Sequence, residues 1–362
     1  MNGGKTGHVR LIGLSVVLAL AVLNACQSQD EERNFYSGPE VDRVIEQRAI
    51  RDKEELTGRK LAEYGSLMAE GPVIPGLFNA AVPQGLAYIP QQKLLAISSY
   101  MSDRQASVLI FVSLEDGGLH KALSLENVDG SAHRGHVGGL AVVGDRLWIA
   151  SGKEFYSVPL VKVEEAKDGG KLTLPPAAYS EVNCDTAASH GETLLIGEFW
   201  SDDERYPTAD SHKISTPGGS RYSALMAGFS LEESPTGWVE PDFLLSIPDK
   251  VQGAVFFDDK IILSRSYGRR NLSELSIYRS PMSSEEPDVF VLRNGTSSPL
   301  WYLEEEYLMK KIAAPPMSEG ISLVGDRIAV LYESGADTYR YSARFPQDRI
   351  HFLDLNRLID SP

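Results

Sequence analysis

Residues 317–336 read M-S-E-G-I-S-L-V-G-D-R-I-A-V-L-Y-E-S-G-A. Two apolar runs of five or six residues, rich in Val, Ile and Leu, flank a tight Gly-Asp turn. That length and composition predict a buried β-hairpin and not a helix of several turns. The phrase recurs as H-V-G-G-L-A-V-V-G-D-R-L-W-I-A-S at 136–151 and as V-Q-G-A-V-F-F-D-D-K-I-I-L-S-R-S-Y-G at 251–268. Looser copies stand at 83–100 (P-Q-G-L-A-Y-I-P-Q-Q-K-L-L-A-I-S-S-Y) and 183–199 (N-C-D-T-A-A-S-H-G-E-T-L-L-I-G-E-F). Registered on their turns, the five copies place Gln84, Gly138, Asp185, Gln252 and Glu319 in one column, with spacings of 54, 47, 67 and 67 residues.

A third strand candidate follows each hairpin, and a fourth follows most of them (121–125, 178–182, 243–247 and 310–313). Four short antiparallel strands per repeat predict an all-β chain folded as a β-propeller, with five blades and six as the alternative count. The last repeat lacks its own fourth strand, and residues 66–74 are expected to supply it and close the ring. Repeats of roughly 59 residues exceed the usual blade of about 40–50. The surplus lies chiefly in 200–222 and 281–300, and a sixth blade would have to hide in 289–301.

In a propeller the inner strand leaves one mouth of the central channel and the second strand returns to it. The column should therefore ring that mouth, with the second-strand exits around it. Two carboxylates (Asp185, Glu319) and two carboxamides (Gln84, Gln252) make an oxygen lining suited to Ca²⁺, and the alternative is a ring that only holds water. Tyr100, Glu198, Tyr267, Arg269, Tyr332 and Glu333 are expected to line a ligand site there, with His136, and His133 beside it, as a ligand or base.

The N-terminus carries Lys5 and Arg10, an apolar run over 11–22, and Leu23-Asn24-Ala25-Cys26. The run is short for a membrane span and reads as a signal peptide, 1–25. Its end resembles the bacterial lipoprotein box, which implies cleavage before Cys26, acylation of that thiol (a diacylglyceryl group, with palmitate-type chains) and anchoring to the envelope. Gln27 in place of Asp implies the outer membrane if the cell has two membranes, and otherwise the outer face of its single membrane. Residues 26–65 read as a tether with a short helix beginning at Pro39-Glu40, and 66–362 as the propeller.

The formal charge of −15 is poorly matched to nucleic acid. With Cys26 acylated, Cys184 is the remaining thiol, so neither a disulfide nor a cysteine-based zinc site is expected. No G-x-S-x-G, P-loop or H-E-x-x-H pattern is present.

The Q-G-L-A-Y, H-V-G-G-L-A-V, S-Y-G-R and M-S-E-G-I phrases together resemble a group of secreted bacterial propeller proteins, which implies the fold and an exported location but no particular activity. The single E-G or Q-G step before an inner strand is similar to one in calcium-dependent lactonases of the gluconolactonase type and in five-bladed calcium nucleotidases, and Glu319 is similar to the metal-binding Glu of the former. Two functions from different classes follow as expectations: an anchored binding module taking a small molecule, glycan or protein at the mouth, or a calcium-dependent hydrolase of a small ester, lactone or phosphoester.

Overall fold

A computed structural model describes residues 45–360 apart from 52, 54, 57, 204, 232 and 233. The predicted signal peptide, Cys26 and the tether up to residue 44 lie outside the described residues. Every hairpin in the sequence column forms, and each becomes the inner pair of one blade. Blade 1 is Ala81–Ile89, Leu94–Met101, Val108–Ser113 and Leu119–Glu126; blade 2 is Gly139–Val143, Arg146–Ser151, Glu154–Pro159 and Ala178–Tyr179. Blade 3 is Thr186–His190, Thr193–Gly197, Ala224–Ser230 and Phe243–Ile247; blade 4 is Val251–Phe257, Lys260–Arg265, Ser273–Arg279 and Leu308–Ala314. Blade 5 is Ser318–Val324, Arg327–Tyr332, Arg349–Asp354 and, from the other end of the chain, Met68–Val73.

The closing strand pairs antiparallel with Met68 opposite Leu353 and Val73 opposite Arg349. Ring closure by the stretch around 66–74 is therefore as the sequence suggested. The surplus length does not make a sixth blade. Insertions between the third and fourth strands of blades 2, 3 and 4 each reach back to the preceding blade, where Lys171–Thr173, Gly237–Trp238 and Ser297–Tyr302 add parallel to its fourth strand. Strand Asp288–Val291 then pairs on the outside of Ser297–Tyr302. Residues 289–301 do contain strand structure, but it widens blade 3.

The core is a set of five apolar seams, one between each pair of neighbouring blades. Ile97, Ile110 and Leu331 fill the seam between blades 5 and 1, and Leu195, Met226 and Phe256 that between blades 3 and 4. Inner strands approach so closely that glycine is required after the column position in blades 4 and 5. A Cβ on Gly320 would stand 2.6 Å from Leu86 N, and one on Gly253 2.8 Å from Ile321 N. These are backbone atoms of the next blade and cannot swing aside.

The N-terminal segment departs from the expected tether. Residues 45–50 are not helical; the short helix comes later, at Ala62–Leu67. Segment 45–53 crosses the seam where the ring closes. The Gln47 amide donates to Val73 O of blade 5 (2.8 Å) and Gly117 O of blade 1 (2.7 Å), while its carbonyl accepts Leu119 N (2.8 Å). Ile45 is buried in the same seam, and Lys53 pairs with the buried Asp348 at 3.0 Å. The described residues from 45 onward accordingly pack as one compact unit with the blades.

Candidate functional site

Three column residues occupy irregularities in their inner strands. Strand register slips between Pro83 and Leu86, between Val251 and Gly253, and between Ser318 and Ile321. A bulge breaks the strict in-out alternation and re-aims a side chain. Gln84, Gln252 and Glu319 sit at these points. Gln84 and Glu319 are each only 3% exposed, whereas Gln252 is half-buried.

Glu319 meets Glu333, the residue just past the second strand of the same blade, and the two carboxyl groups hydrogen-bond to each other. Burial, then the neighbouring carboxyl's charge, pushes Glu319 well above the usual carboxylate range. Burial also raises Glu333, although Gln84, Glu319 and the Arg269 charge pull the other way. Like charges in contact cannot both ionise cheaply, which favours one proton held between the two carboxyl groups. Gln84 Nε2 donates to Glu333 Oε2 (3.1 Å) and to Pro83 O (2.7 Å).

Around this floor stand aromatic rings. Tyr100 and Tyr339 bring their hydroxyls to 2.8 Å, and both phenols feel the Glu319 and Glu333 charges. His136 stacks on Tyr100 with ring centroids 5.0 Å apart. The residue as a whole is exposed, and burial of the ring by the atoms packed around it lowers its pKa to about 4. Arg269 lies over the Tyr339 ring at 4.8 Å. Phe199, Tyr206 and Tyr267 form an aromatic trio, Phe199 to Tyr206 being 4.9 Å. Tyr267 donates to Asp203 Oδ2 (2.7 Å) and accepts from the Arg205 guanidinium (3.0 Å).

The structure thus brings together Gln84, Tyr100, His136, Arg269, Glu319 and Glu333. Gly138 contributes space, since a Cβ there would clash with the Asp185 backbone. Asp185 is bonded within its own blade. Its Oδ2 accepts Phe199 N (2.9 Å), and burial, with Glu198 nearby, raises its pKa to about 7.

Two expected mouth residues are held elsewhere. Tyr332 is fully buried between blades 4 and 5, where strand alternation turns it away from its neighbour Glu333, and its hydroxyl lies 2.6 Å from that of Tyr64. Tyr64 also reaches His351 Nδ1 at 3.0 Å. Glu198 accepts Asn183 N (3.1 Å), Leu225 N (3.0 Å) and the His212 ring at Nδ1 (2.9 Å). His212 Nε2 faces Glu181 at 3.3 Å, and Glu181 accepts Arg293 N (2.8 Å). Burial works against charge on His212, but the two glutamates outweigh it and raise its pKa. This Glu-His-Glu clamp fixes the insertion that carries Asp203, Arg205 and Tyr206.

His133 is likewise buried, with its ring nitrogens bonded to Asn127 Oδ1 (2.9 Å) and Ser151 Oγ (3.1 Å). Cys184 is buried in the seam of blades 2 and 3, where burial pushes its thiol well up and away from reactivity. Among the described residues no three of His, Cys, Asp and Glu gather as a metal-ligating group. A small apolar groove of about 250 Å³, lined by Val128, Tyr156, Leu174 and Pro175, lies apart from this constellation.

Tyr339, Tyr206 and the Glu181–His212 clamp were not legible beforehand, because they sit in long loops outside the repeat. The doublet Tyr339-Arg340-Tyr341 was the one visible signal for an aromatic wall.

No protein-family model matches the chain, and a search of curated proteins finds no relative. Among solved structures, the glutaminyl cyclase of Myxococcus xanthus aligns at 10% identity over 80% of this chain and 95% of its own, with a TM-score of 0.42. BamB from Moraxella catarrhalis aligns at 11% identity over 75% and 85%, with a TM-score of 0.33. Similarities of this size carry no argument about activity, and the five-bladed fold rests on the strand pairing above.

Proposed function

We propose that the protein is a lipid-anchored β-propeller of the bacterial cell envelope that binds a small ligand at the channel mouth. The observation carrying this reading is the convergence of a buried Glu319–Glu333 pair and Gln84 beneath the Tyr100 and Tyr339 rings. Ligand sites are concave, largely apolar and fitted with a few polar groups that fix orientation, and this mouth has that make-up. Anchoring rests on Leu23 to Cys26. Cys26→Ser should release the chain from the membrane fraction; a variant that stays membrane-bound and is processed normally removes the anchor.

A calcium-dependent hydrolase is the second reading, favoured by the neutral His136 imidazole in the same mouth. It needs a cation between Glu319 and Glu333, because these are the two acids in contact. Calcium takes about 6–8 oxygen ligands, more than this pair and one amide offer.

One melting series separates the readings. Under the binding reading, at least one compound of a small-metabolite panel raises the Tm of the parent and not of Tyr100→Ala, while EDTA leaves the Tm unchanged. A fall in Tm with EDTA, reversed by calcium, would establish the metal. Compounds that stabilise both proteins equally, or none that stabilises the parent, would overturn binding at the mouth.

A further inference from the structure

From the groups at the channel floor we infer that the ligand taken there is a small organic primary ammonium. The inference rests on the mouth being the binding site and goes on to name what it binds. A primary ammonium carries three N–H donors and no acceptor, and the floor offers acceptors in matching number. Two are the carboxyl groups of Glu319 and Glu333, held against each other. The third is Gln84, whose amide nitrogen is committed to Glu333 and Pro83. Its carbonyl oxygen is the acceptor that this side chain still offers.

An unpaired group lies on the adjoining strand. Ser99, directly opposite Pro83 in the pairing of blade 1, is fully buried, and its Oγ has no partner among the described residues. Its face of the strand is the one that looks to blade 5, since Ile97 and Met101 on that face pack in the seam of blades 5 and 1, while Ser98 bonds Val137 O of blade 2. Buried polar atoms without partners are uncommon in native proteins. Here one of them, Ser99 Oγ, lies on the strand of blade 1 that faces the blade carrying the acid pair.

The walls select the kind of cation. Tyr100 and Tyr339 join hydroxyls near the carboxyl groups, with His136 stacked on the Tyr100 ring and the Arg269 guanidinium lying over Tyr339. Aromatic faces attract organic cations and cover their carbon bodies. They offer nothing to a hydrated metal ion, which needs more oxygens than are present. Arg269 already faces Glu333 as a cation, and an ammonium would add a second counterpart to the acid pair that a neutral ligand or an anion lacks.

The test uses three probes of one shape and different charge: 2-phenylethylamine, 2-phenylethanol and phenylacetate, titrated calorimetrically into the purified protein at neutral pH. The amine should bind at least about tenfold more tightly than the alcohol, which corresponds to about 1.4 kcal/mol, and phenylacetate more weakly still. Glu333→Gln, checked by its melting curve to be folded, should abolish the preference for amine over alcohol; Tyr100→Ala should weaken all three probes. If the alcohol or phenylacetate binds the parent as well as the amine, and Tyr100→Ala loses it, the ammonium inference fails while the mouth remains the site. If the probes bind Tyr100→Ala as well as the parent, the mouth itself is wrong. Failure of all three probes to bind overturns the inference and leaves the mouth reading to the metabolite panel.

Discussion

His212→Ala destabilises the protein by about 3–5 kcal/mol, the usual consequence of taking one partner from a buried ion pair. The ring stands between Glu198 and Glu181, and all three side chains are at most 4% exposed. Glu198 keeps the Asn183 and Leu225 amides and Glu181 keeps Arg293, so the loss falls toward the lower end of that range. Its pH dependence has a definite sign. The folded pKa of His212 is raised, so the native state holds a proton that the unfolded chain releases at about pH 6.5. The contribution is complete below about pH 6.5 and is lost as pH rises through the folded value. Urea unfolding of parent and variant from pH 6 to 9 should show the gap between them shrinking. A gap that widens with pH would mean that His212 is neutral in the native state.

Deleting residues 68–73 has the larger effect. It removes the fourth strand of blade 5, bares the Arg349–Asp354 edge and takes away the Val73 carbonyl to which Gln47 is tied. Sheet edges are protected in a closed ring, and opening it exposes one. The apolar seams on both sides of blade 5 then lose one wall. We expect a cost comparable with the whole stability of a domain, about 5–15 kcal/mol, read as loss of the cooperative melting transition. A deletion variant that melts like the parent would show that the ring is not closed by this strand.

The sequence carried the fold because the fold is repetitive. Five copies of one hairpin, each with a polar step before its inner strand, indicated blades, and a missing last strand indicated closure by 66–74. The extra strands at 171–173, 237–238 and 297–302 were not recognised as blade extensions, because two or three residues carry no period and their pairing is set by the neighbouring blade. The site was legible in part for the same reason. Gln84 and Glu319 come from the column and Glu333 from the strand exits, and bulges in the inner strands turn both column residues onto one floor. That Glu319 would meet Glu333 could not be read from spacing, since it depends on which way each bulge turns. Tyr332 was misplaced because adjacent residues of a strand face opposite ways, and Glu198 because the insertion that brings His212 to it follows no repeat.

The most direct test of ligand binding at the mouth is a histidine-selective NMR titration. His136 stacks on Tyr100 at the mouth, whereas His190 closes the inner strand of blade 3 at the opposite end of the channel and His120 lies on the outer strand of blade 1. Addition of 2-phenylethylamine, or of a stabilising compound from the metabolite panel, should shift the His136 ring resonances progressively and leave those of His190 and His120 in place. A saturable shift at His190 or His120 with His136 unmoved would place the ligand elsewhere and contradict the account.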